Sequence, residues 1–335
     1  MRVLVTGATG YLAGHCIAEL LAHGYAVRGT VRNRQTADVA HLRALARSAG
    51  GDLEFAEADL ARDDGWDDAA AGCDYVWHVA SPFPSHAPQD ENAVIRPAVD
   101  GTLRVLRAAA AGGTVRRVVM TSSGLAVHGG RDEDRVFTEA DWTDTTTASP
   151  YAKSKALAEK AAWNFARESG LELVVINPGS ILGPLQRAAA GNSVEIIQRL
   201  MSGRLPAVPQ IGWTVVDVRD LARLHLLAMQ TPAAAGNRYL AGDQFMWARD
   251  MAAVLAERYR PRGYRIPTGA MPYWLMWMIA RVDPSVRLAL SFWGQRRQVS
   301  ATKAAKDLGW TSRPPAQSVL DTAASMIDFG LVPRR

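Results

Sequence analysis

The stretch Val3-Leu-Val-Thr-Gly7-Ala-Thr-Gly10-Tyr-Leu-Ala13-Gly14 decides the fold of this 335-residue chain. A short apolar strand runs into a glycine-rich turn, and the turn opens a predicted helix over 10–23. Glycine permits the tight backbone angles of such a turn and lets a phosphate approach the main-chain amides. The helix N-terminus adds free N–H groups and the positive end of the helix dipole. The turn therefore predicts a pyrophosphate site.

The spacing of the glycines differs from the usual Gly-x-Gly-x-x-Gly pattern. The first two glycines are three residues apart, and Ala13 holds the third position with Gly14 after it. Alanine is tolerated there because that position serves close packing of the helix against the strand. The alternative interpretation, a plain turn between strand and helix, is the weaker one at this place in the chain.

Strands and helices alternate outward from this turn. Further strands are predicted at 26–31, 53–57, 75–79, 115–121 and 171–177, and helices at 37–48, 93–111 and 151–169. Short apolar strands separated by helices indicate βαβ units and a parallel sheet with helices on both faces. We predict an α/β protein built on a Rossmann-type doubly wound parallel sheet.

The rhythm changes after residue 178, where proline and glycine become frequent. Helices are predicted at 194–201, 217–230 and 247–258, with a short strand at 238–240. We predict a nucleotide-binding domain over 1–178, to which 213–242 returns. Residues 179–212 and 243–331 are predicted to form a smaller, mostly helical C-terminal lobe that binds the substrate.

Composition narrows the class of protein. The net charge is +5, but the arginines are scattered without a long basic run, so we expect no nucleic-acid partner. Cys16 and Cys73 stand in no metal-binding spacing, which favours a reducing compartment, a cytoplasmic location and no metal. The first strand leaves no room for a signal peptide. The most apolar stretch, 272–282, is too short to span a bilayer.

The second strand ends in Thr30-Val-Arg32-Asn-Arg34. An acidic residue here would bind the ribose 2′-hydroxyl of NAD, whereas an arginine suits the 2′-phosphate of NADP. We therefore predict NADP(H), with Arg32 as the phosphate partner and Arg34 as a second candidate. Because ligands bind beyond the carboxyl ends of parallel strands, two further strand ends complete the predicted cleft. The predicted cofactor-binding residues of this part of the chain are Gly7, Thr9, Gly10, Tyr11, Leu12, Arg32, Asp59, Leu60, Val79, Ala80 and Ser81.

A tyrosine and a lysine stand four residues apart in Tyr151-Ala-Lys-Ser-Lys155, on one face of a predicted helix. A nearby cation favours the phenolate, so the spacing predicts a lowered pKa for Tyr151. The chain contains only five lysines, which makes this one notable, although two of the others lie close by. The fifth strand ends in Thr121-Ser-Ser123, where a hydroxyl could bind a carbonyl that faces Tyr151.

These motifs, followed by Asn177-Pro-Gly-Ser180, resemble the extended short-chain dehydrogenase/reductases. Within that family the chain is most similar to the branch of dihydroflavonol reductases, cinnamoyl-CoA reductases and microbial carbonyl reductases. The resemblance implies three catalytic residues: Ser123 polarises the carbonyl, Tyr151 exchanges the proton, and Lys155 holds the nicotinamide ribose and lowers the Tyr151 pKa. It also implies that Tyr151, Lys155, Pro178, Ser180 and Ile181 contact the cofactor. The candidates for substrate contacts are Ser81, Phe83 and His128, and His128 is equally well an exposed loop residue.

The predicted function is NADPH-dependent reduction of a ketone or aldehyde, hydrophobic or aryl, to the alcohol. The apolar stretches 205–213 and 271–277 are candidates for a substrate pocket, with ordinary core as the alternative. One alternative function is a 3β-hydroxysteroid-type dehydrogenase or a sugar epimerase, and another is a non-catalytic dinucleotide sensor. Dehydration is disfavoured because Ser123-Gly-Leu125 lacks the carboxylates that dehydratases carry there. We expect a small-molecule carbonyl or alcohol substrate and a monomer or homodimer.

Overall fold

The computed structural model describes residues 1–82, 90–131, 133–189, 191, 194–283, 286–287, 290 and 292–333. The strands are β1 (Arg2–Val5), β2 (Ala26–Val31), β3 (Leu53–Glu57), β4 (Tyr75–His78), β5 (Arg117–Thr121), β6 (Val136–Phe137), β7 (Glu172–Pro178), β8 (Ser180–Leu182), β9 (Gly212–Asp217), β10 (Arg238–Ala241), β11 (Gln244–Trp247) and β12 (Gln298–Val299). The α-helices are α1 (Tyr11–Ala22), α2 (Ala40–Ala49), α3 (Trp66–Ala70), α4 (Asn92–Ala111), α5 (Leu125–His128), α6 (Pro150–Ser169), α7 (Glu195–Met201), α8 (Val218–Gln230), α9 (Ala248–Tyr259), α10 (Tyr273–Ile279), α11 (Thr302–Leu308) and α12 (Pro315–Asp328).

Seven parallel strands form the main sheet in the order β10-β7-β5-β4-β1-β2-β3. The chain leaves β1 toward β2 and β3 on one side and later returns to β4 and β5 on the other. The strand order therefore reverses between β1 and β4, and a crevice opens at their carboxyl ends. The predicted Rossmann-type doubly wound sheet is confirmed.

Alternation along the strands explains why helices cover both faces. In β1, Val3 and Val5 pack into one core with α1 and α8, whereas Leu4 faces the other core with α4 and α6. All three side chains are fully buried or nearly so. A strand that buries both faces reads as a continuous apolar run, and the opening Val-Leu-Val is such a run.

A second lobe is built around a three-stranded sheet, β8-β9-β11, in which β8 and β9 run parallel and β9 and β11 antiparallel. Helices α7, α9 and α12 bury their apolar faces against it in a separate core. Meanwhile β10 pairs with β7 at the edge of the main sheet, and α8 packs in the core that holds α1.

The assignment of all of 243–331 to the second lobe is wrong for residues 301–310. Ala304, Leu308 and Trp310 pack into the core of the main sheet. The Trp310 indole N–H donates to the Asp220 carbonyl at 2.8 Å, which ties this segment to α8. No helix in the described part of the chain is long and apolar enough to cross a membrane.

Candidate active site

The glycine turn between β1 and α1 is shaped for close approach by a ligand. Gly7 has a φ of 67°, and a Cβ on it would lie 2.9 Å from the Ala80 Cβ. Its N–H donates to the Thr30 hydroxyl at 2.9 Å, which fixes the turn against β2. No side chain caps α1 at Gly10. The first-turn amides of a 12-residue helix thus border the cleft, as a dinucleotide phosphate requires.

The cleft at this edge of the sheet has a volume of about 700 Å³. It brings together most of the residues that the sequence predicts for the cofactor. Those that line it are Gly7, Thr9, Gly10, Tyr11, Leu12, Arg32, Asp59, Leu60, Val79, Ala80, Ser81, Ser123, Tyr151, Lys155, Pro178 and Ile181. Ser180 is absent from the described lining and lies in β8 beside Val215. The lining also includes Gly179, which belongs to the Asn177–Ser180 motif, and Trp66 and Pro97, which the sequence analysis missed.

One buried hydroxyl joins the two strands that flank the crevice. The Thr6 oxygen accepts hydrogen bonds from the N–H groups of Val79 and Ala80, at 3.0 and 2.9 Å. It also lies 3.0 Å from the Nδ1 of His78. Burial, with the nearby charge of Lys155 as a smaller cause, lowers the His78 pKa to about 3. The Thr6 hydroxyl therefore fixes the end of β4 beside the glycine turn, and the His78 imidazole that it contacts is neutral.

The Tyr–Lys pair stands at the start of α6, where Ser149 caps the helix by accepting from the Ala152 N–H at 3.3 Å. The Lys155 ammonium lies 5.8 Å from the centre of the Tyr151 ring. Tyr151 is hydrogen-bonded to Ser123. The Ser123 oxygen also accepts from the Leu125 N–H at 3.1 Å, which orients the hydroxyl. Hydroxyl, phenol and ammonium thus meet at one end of the cleft.

The protonation of this group differs from the expectation. Burial raises the pKa of Tyr151 well above its ordinary value, and the hydrogen bond with Ser123 offsets only part of that rise. The predicted lowering of the Tyr151 pKa by Lys155 is therefore wrong for this geometry. Burial lowers the pKa of Lys155 to about 8, against the opposing effect of Glu159. At neutral pH the phenol holds its proton and the lysine is charged.

A buried carboxylate behind these residues was missed by the sequence analysis. Glu159 lies one turn beyond Lys155 on α6 and is fully buried. Its Oε2 accepts from the Ser122 hydroxyl at 2.6 Å and from the Asn177 amide at 2.7 Å. Its Oε1 pairs with the Arg238 guanidinium at 2.5 Å. A glutamate in a lysine-rich helix reads as a surface residue, so only the three-dimensional contacts reveal it.

Arg32 lines the cleft at the end of β2 and is exposed, as a phosphate partner needs to be. Arg34 lies outside the described lining, and its main-chain N–H donates to the Glu57 carboxylate at 2.5 Å. A further cation comes from the start of the second lobe. Arg187 donates to the Thr9 carbonyl at 3.0 Å and pairs with Asp38 at 3.5 Å, so it spans the glycine turn and the loop after β2.

The two apolar stretches that the sequence proposes for a pocket meet in the second lobe. They line a cavity of about 320 Å³ whose described walls include Leu205, Pro206, Pro209, Ile211, Trp213, Met271 and Met276. Trp213 precedes Thr214, whose carbonyl lies so close to Gly179 that a Cβ there would be 2.2 Å away. Gly179 lines the cofactor cleft, so β9 carries one residue of the cavity wall, Trp213, next to one that packs against the lining of the cleft, Thr214.

The substrate-contact candidates are dispersed. Ser81 lines the cleft, and Phe83 lies outside the described residues. His128 ends α5 with its ring 5.8 Å from that of Phe137, and it lies in neither described lining. Burial lowers its pKa to about 4, so it is no exposed loop histidine. His225 is fully buried, and its ring lies 2.7 Å from the Thr121 hydroxyl.

Fold and site together define a Rossmann-type dinucleotide-binding protein with a phenol and an ammonium at one end of its cleft. The chain belongs to the NAD dependent epimerase/dehydratase family, whose model matches residues 3–242. This membership confirms the predicted resemblance to the extended short-chain dehydrogenase/reductases and their reductase branch.

Named relatives are reductases. The chain is 36% identical to cinnamoyl-CoA reductase 1 of Petunia hybrida over 337 residues, which cover 99% of this chain and 93% of that protein. It is 36% identical to dihydroflavonol 4-reductase of Zea mays, over 77% of this chain and 74% of that protein. Among solved structures, yeast methylglyoxal/isovaleraldehyde reductase complexed with NADPH superposes with a TM-score of 0.80 at 26% identity, covering 98% of this chain and 99% of that one.

Proposed function

We propose that this protein is an NADPH-dependent reductase that converts a hydrophobic or aryl ketone or aldehyde to the alcohol, with Tyr151 as the proton donor. The observation that carries the proposal is the meeting of Ser123, Tyr151 and Lys155 in the same cleft as the glycine turn. The cinnamoyl-CoA, dihydroflavonol and methylglyoxal reductases named above act on carbonyl compounds, and the last is solved with NADPH, which supports both the reaction and the cofactor.

The residues present fit a dinucleotide. Gly7 makes the tight, left-handed turn packed against Ala80 that no residue with a Cβ fits, and the uncapped start of α1 offers N–H groups to the phosphates. Arg32 would bind the 2′-phosphate, and Lys155 the ribose next to the nicotinamide. When bound, the reduced nicotinamide supplies the hydride for the carbonyl carbon.

The chain's own groups would handle the charge and the proton. Negative charge develops on the carbonyl oxygen as hydride arrives, and a hydrogen bond from Ser123 stabilises it. Tyr151 then donates its proton to that oxygen. Its raised pKa keeps the phenol protonated over the ordinary pH range, which suits a donor in the direction of reduction. The Lys155 ammonium beside the ring stabilises the phenolate that remains.

The cavity lined by Trp213 in the second lobe supports the substrate class. Its walls carry an indole, several aliphatic side chains and two methionines, which suit an aryl or aliphatic body. Four charged residues also line it, namely Glu195, Arg199, Arg204 and Asp283. Sugar-type dehydration stays disfavoured because Gly124 and Leu125 stand where dehydratases carry carboxylates.

The test is turnover of NADPH with a panel of aliphatic aldehydes, aryl aldehydes, aryl ketones and 3-ketosteroids, with identification of the alcohol products. We expect carbonyl-dependent oxidation of NADPH, with aryl or long aliphatic carbonyls ahead of small polar ones. Tight NADPH binding without turnover on any compound would contradict the reductase and favour the sensor alternative. Net oxidation of a 3β-hydroxysteroid, or epimerisation with retained NAD, would favour the other alternative.

A further inference from the structure

The buried carboxylate of Glu159 has more partners than a packing role requires. Its oxygens contact four side chains that come from different elements. These partners are the Ser122 hydroxyl at 2.6 Å, the Asn177 amide at 2.7 Å, the Trp163 indole N–H at 3.3 Å and the Arg238 guanidinium at 2.5 Å. A carboxylate has about four acceptor sites, so this one is satisfied by the protein.

These contacts lead directly to the residues proposed for the chemistry. Asn177 donates from the same amide nitrogen to the main-chain carbonyl of Ser123 at 3.2 Å, so it links the carboxylate to that residue's backbone. Ser122 is the immediate neighbour of Ser123. Lys155 lies one helical turn from Glu159 on the same face of α6. One carboxylate therefore joins the end of β5, the end of β7 and the helix that carries Tyr151 and Lys155.

Arg238 makes this buried charge tolerable. It is itself 8% exposed, donates to the carbonyls of Glu139 and Asp141 at 3.0 and 2.9 Å, and stacks on the Trp142 ring at 3.7 Å. A buried ion pair is often no more stable than apolar side chains of the same volume. Stability alone is thus a weak explanation for the Glu159–Arg238 ion pair. A role of this pair in the candidate active site explains it better.

We propose that Glu159 is a positioning residue for the reduction, with Arg238 as its counter-ion. Its hydrogen bonds fix the position of Ser123, at the end of β5, relative to that of Lys155 on α6. This inference rests on the proposed function. The charged or titratable groups around Lys155 are Tyr151 and Glu159 on its own helix and His78 from β4, which burial keeps neutral. Glu159 is the anion of this group, and its charge favours the ammonium form of Lys155.

The experiment compares Glu159→Gln with Glu172→Gln. The Glu172 carboxylate pairs at 2.7 Å with the buried Arg117. Arg117 begins β5 at the end opposite to Ser123, so loss of the Glu172 charge perturbs a buried ion pair away from the cleft. For Glu159→Gln we expect kcat to fall about 10- to 100-fold because the hydroxyl and the ammonium lose their register. KM and the NADPH dissociation constant should stay within about threefold. Glu172→Gln should lower the unfolding temperature with kcat unchanged.

A second readout is independent of turnover. The chain has five lysines, so 13C-lysine labelling with Lys155→Arg as the assignment control resolves the titration of Lys155. The wild type should titrate with a pKa of about 8. In Glu159→Gln the midpoint should move to lower pH because the ammonium loses its anion, and in Glu172→Gln it should not move.

A kcat within twofold of wild type, or an unchanged Lys155 midpoint, would overturn the inference. An equal fall in kcat, substrate affinity and NADPH affinity would also overturn it, since it would indicate general distortion. If Glu159→Gln does not fold, Ser122→Ala removes one contact of the carboxylate, and we expect a several-fold loss of kcat with NADPH binding retained. A wild type that turns over no carbonyl would contradict the proposed function, while the lysine titration would still decide the inference.

Discussion

Tyr151→Phe removes a single oxygen from the site and leaves the ring in place. The hydroxyl that it deletes is hydrogen-bonded to Ser123, and the Ser123 oxygen keeps its bond from the Leu125 N–H at 3.1 Å. A net hydrogen bond contributes about 1 kcal/mol, so the unfolding free energy should change by no more than that. Loss of a positioned general acid lowers kcat about 10²- to 10⁴-fold, which corresponds to about 3 to 5 kcal/mol in the barrier.

The assay follows carbonyl-dependent oxidation of NADPH, with a deuterated cofactor to establish that hydride transfer limits the rate. NADPH affinity, measured by fluorescence titration, should stay within about threefold because the proposed partner of the deleted group is the substrate rather than the cofactor. Tyr259→Phe is the matched control: its hydroxyl donates to the Leu320 carbonyl at 3.3 Å in the second lobe, and we expect full activity. A Tyr151→Phe kcat within tenfold of wild type would refute Tyr151 as proton donor.

Three further predictions follow from single features of the cleft. Arg32→Gln should weaken NADPH binding about tenfold and leave NADH binding unchanged, because an exposed guanidinium contributes roughly one charged hydrogen bond to a 2′-phosphate. Equal weakening of both cofactors in paired titrations would be inconsistent with that role. The rate of reduction should fall as the pH rises through about 8, because Lys155 loses its charge there. A rate that is flat from pH 6 to about 10 would argue against a charged lysine in catalysis. Gly7→Ala should lower the unfolding free energy by about 1 to 3 kcal/mol and weaken NADPH and NADH binding alike, because a residue in the left-handed region gains a Cβ 2.9 Å from that of Ala80. Wild-type stability and affinity in this variant would show that the turn relaxes freely.

Local signals predicted the nucleotide half of the molecule. The apolar run Val3–Val5, the glycine turn and the helix after it form one continuous segment, so their geometry depends on neighbours in the sequence. The same holds for Tyr151 and Lys155, which share a helix face at a spacing of four residues. Strand ends could be placed as well, since all parallel strands finish at one edge of the sheet.

Contacts between distant residues were beyond such reasoning. Strands β8, β9 and β11 have three to six residues each and are stabilised by pairing with strands distant in sequence. Their hydrophobic periodicity is therefore too short to predict them. Trp310 joins the main core through Asp220, 90 residues away. Glu159 and Arg238 meet across 79 positions (238 minus 159), and each alone reads as a solvated charge.

The pKa of Tyr151 also depends on one feature that is local in the sequence and on one that is not. The four-residue spacing correctly puts a cation near the phenol, and that cation taken alone predicts a lower pKa. The burial that raises the pKa depends on how deeply α6 lies against the end of β5, which no local pattern specifies. With its pKa raised, the phenol is protonated at rest, which is the form that a proton donor needs.

The most direct test of the central claim is the fate of deuterium carried at the nicotinamide C4 of reduced NADPH. With wild-type protein and an aryl aldehyde or ketone that is turned over, we predict one deuterium on the carbinol carbon of the product, delivered from one face of the nicotinamide only. The hydroxyl proton should come from solvent by way of Tyr151. An alcohol that carries no label with deuterium on either face of C4, or labelled product from NADH but none from NADPH, would contradict the account.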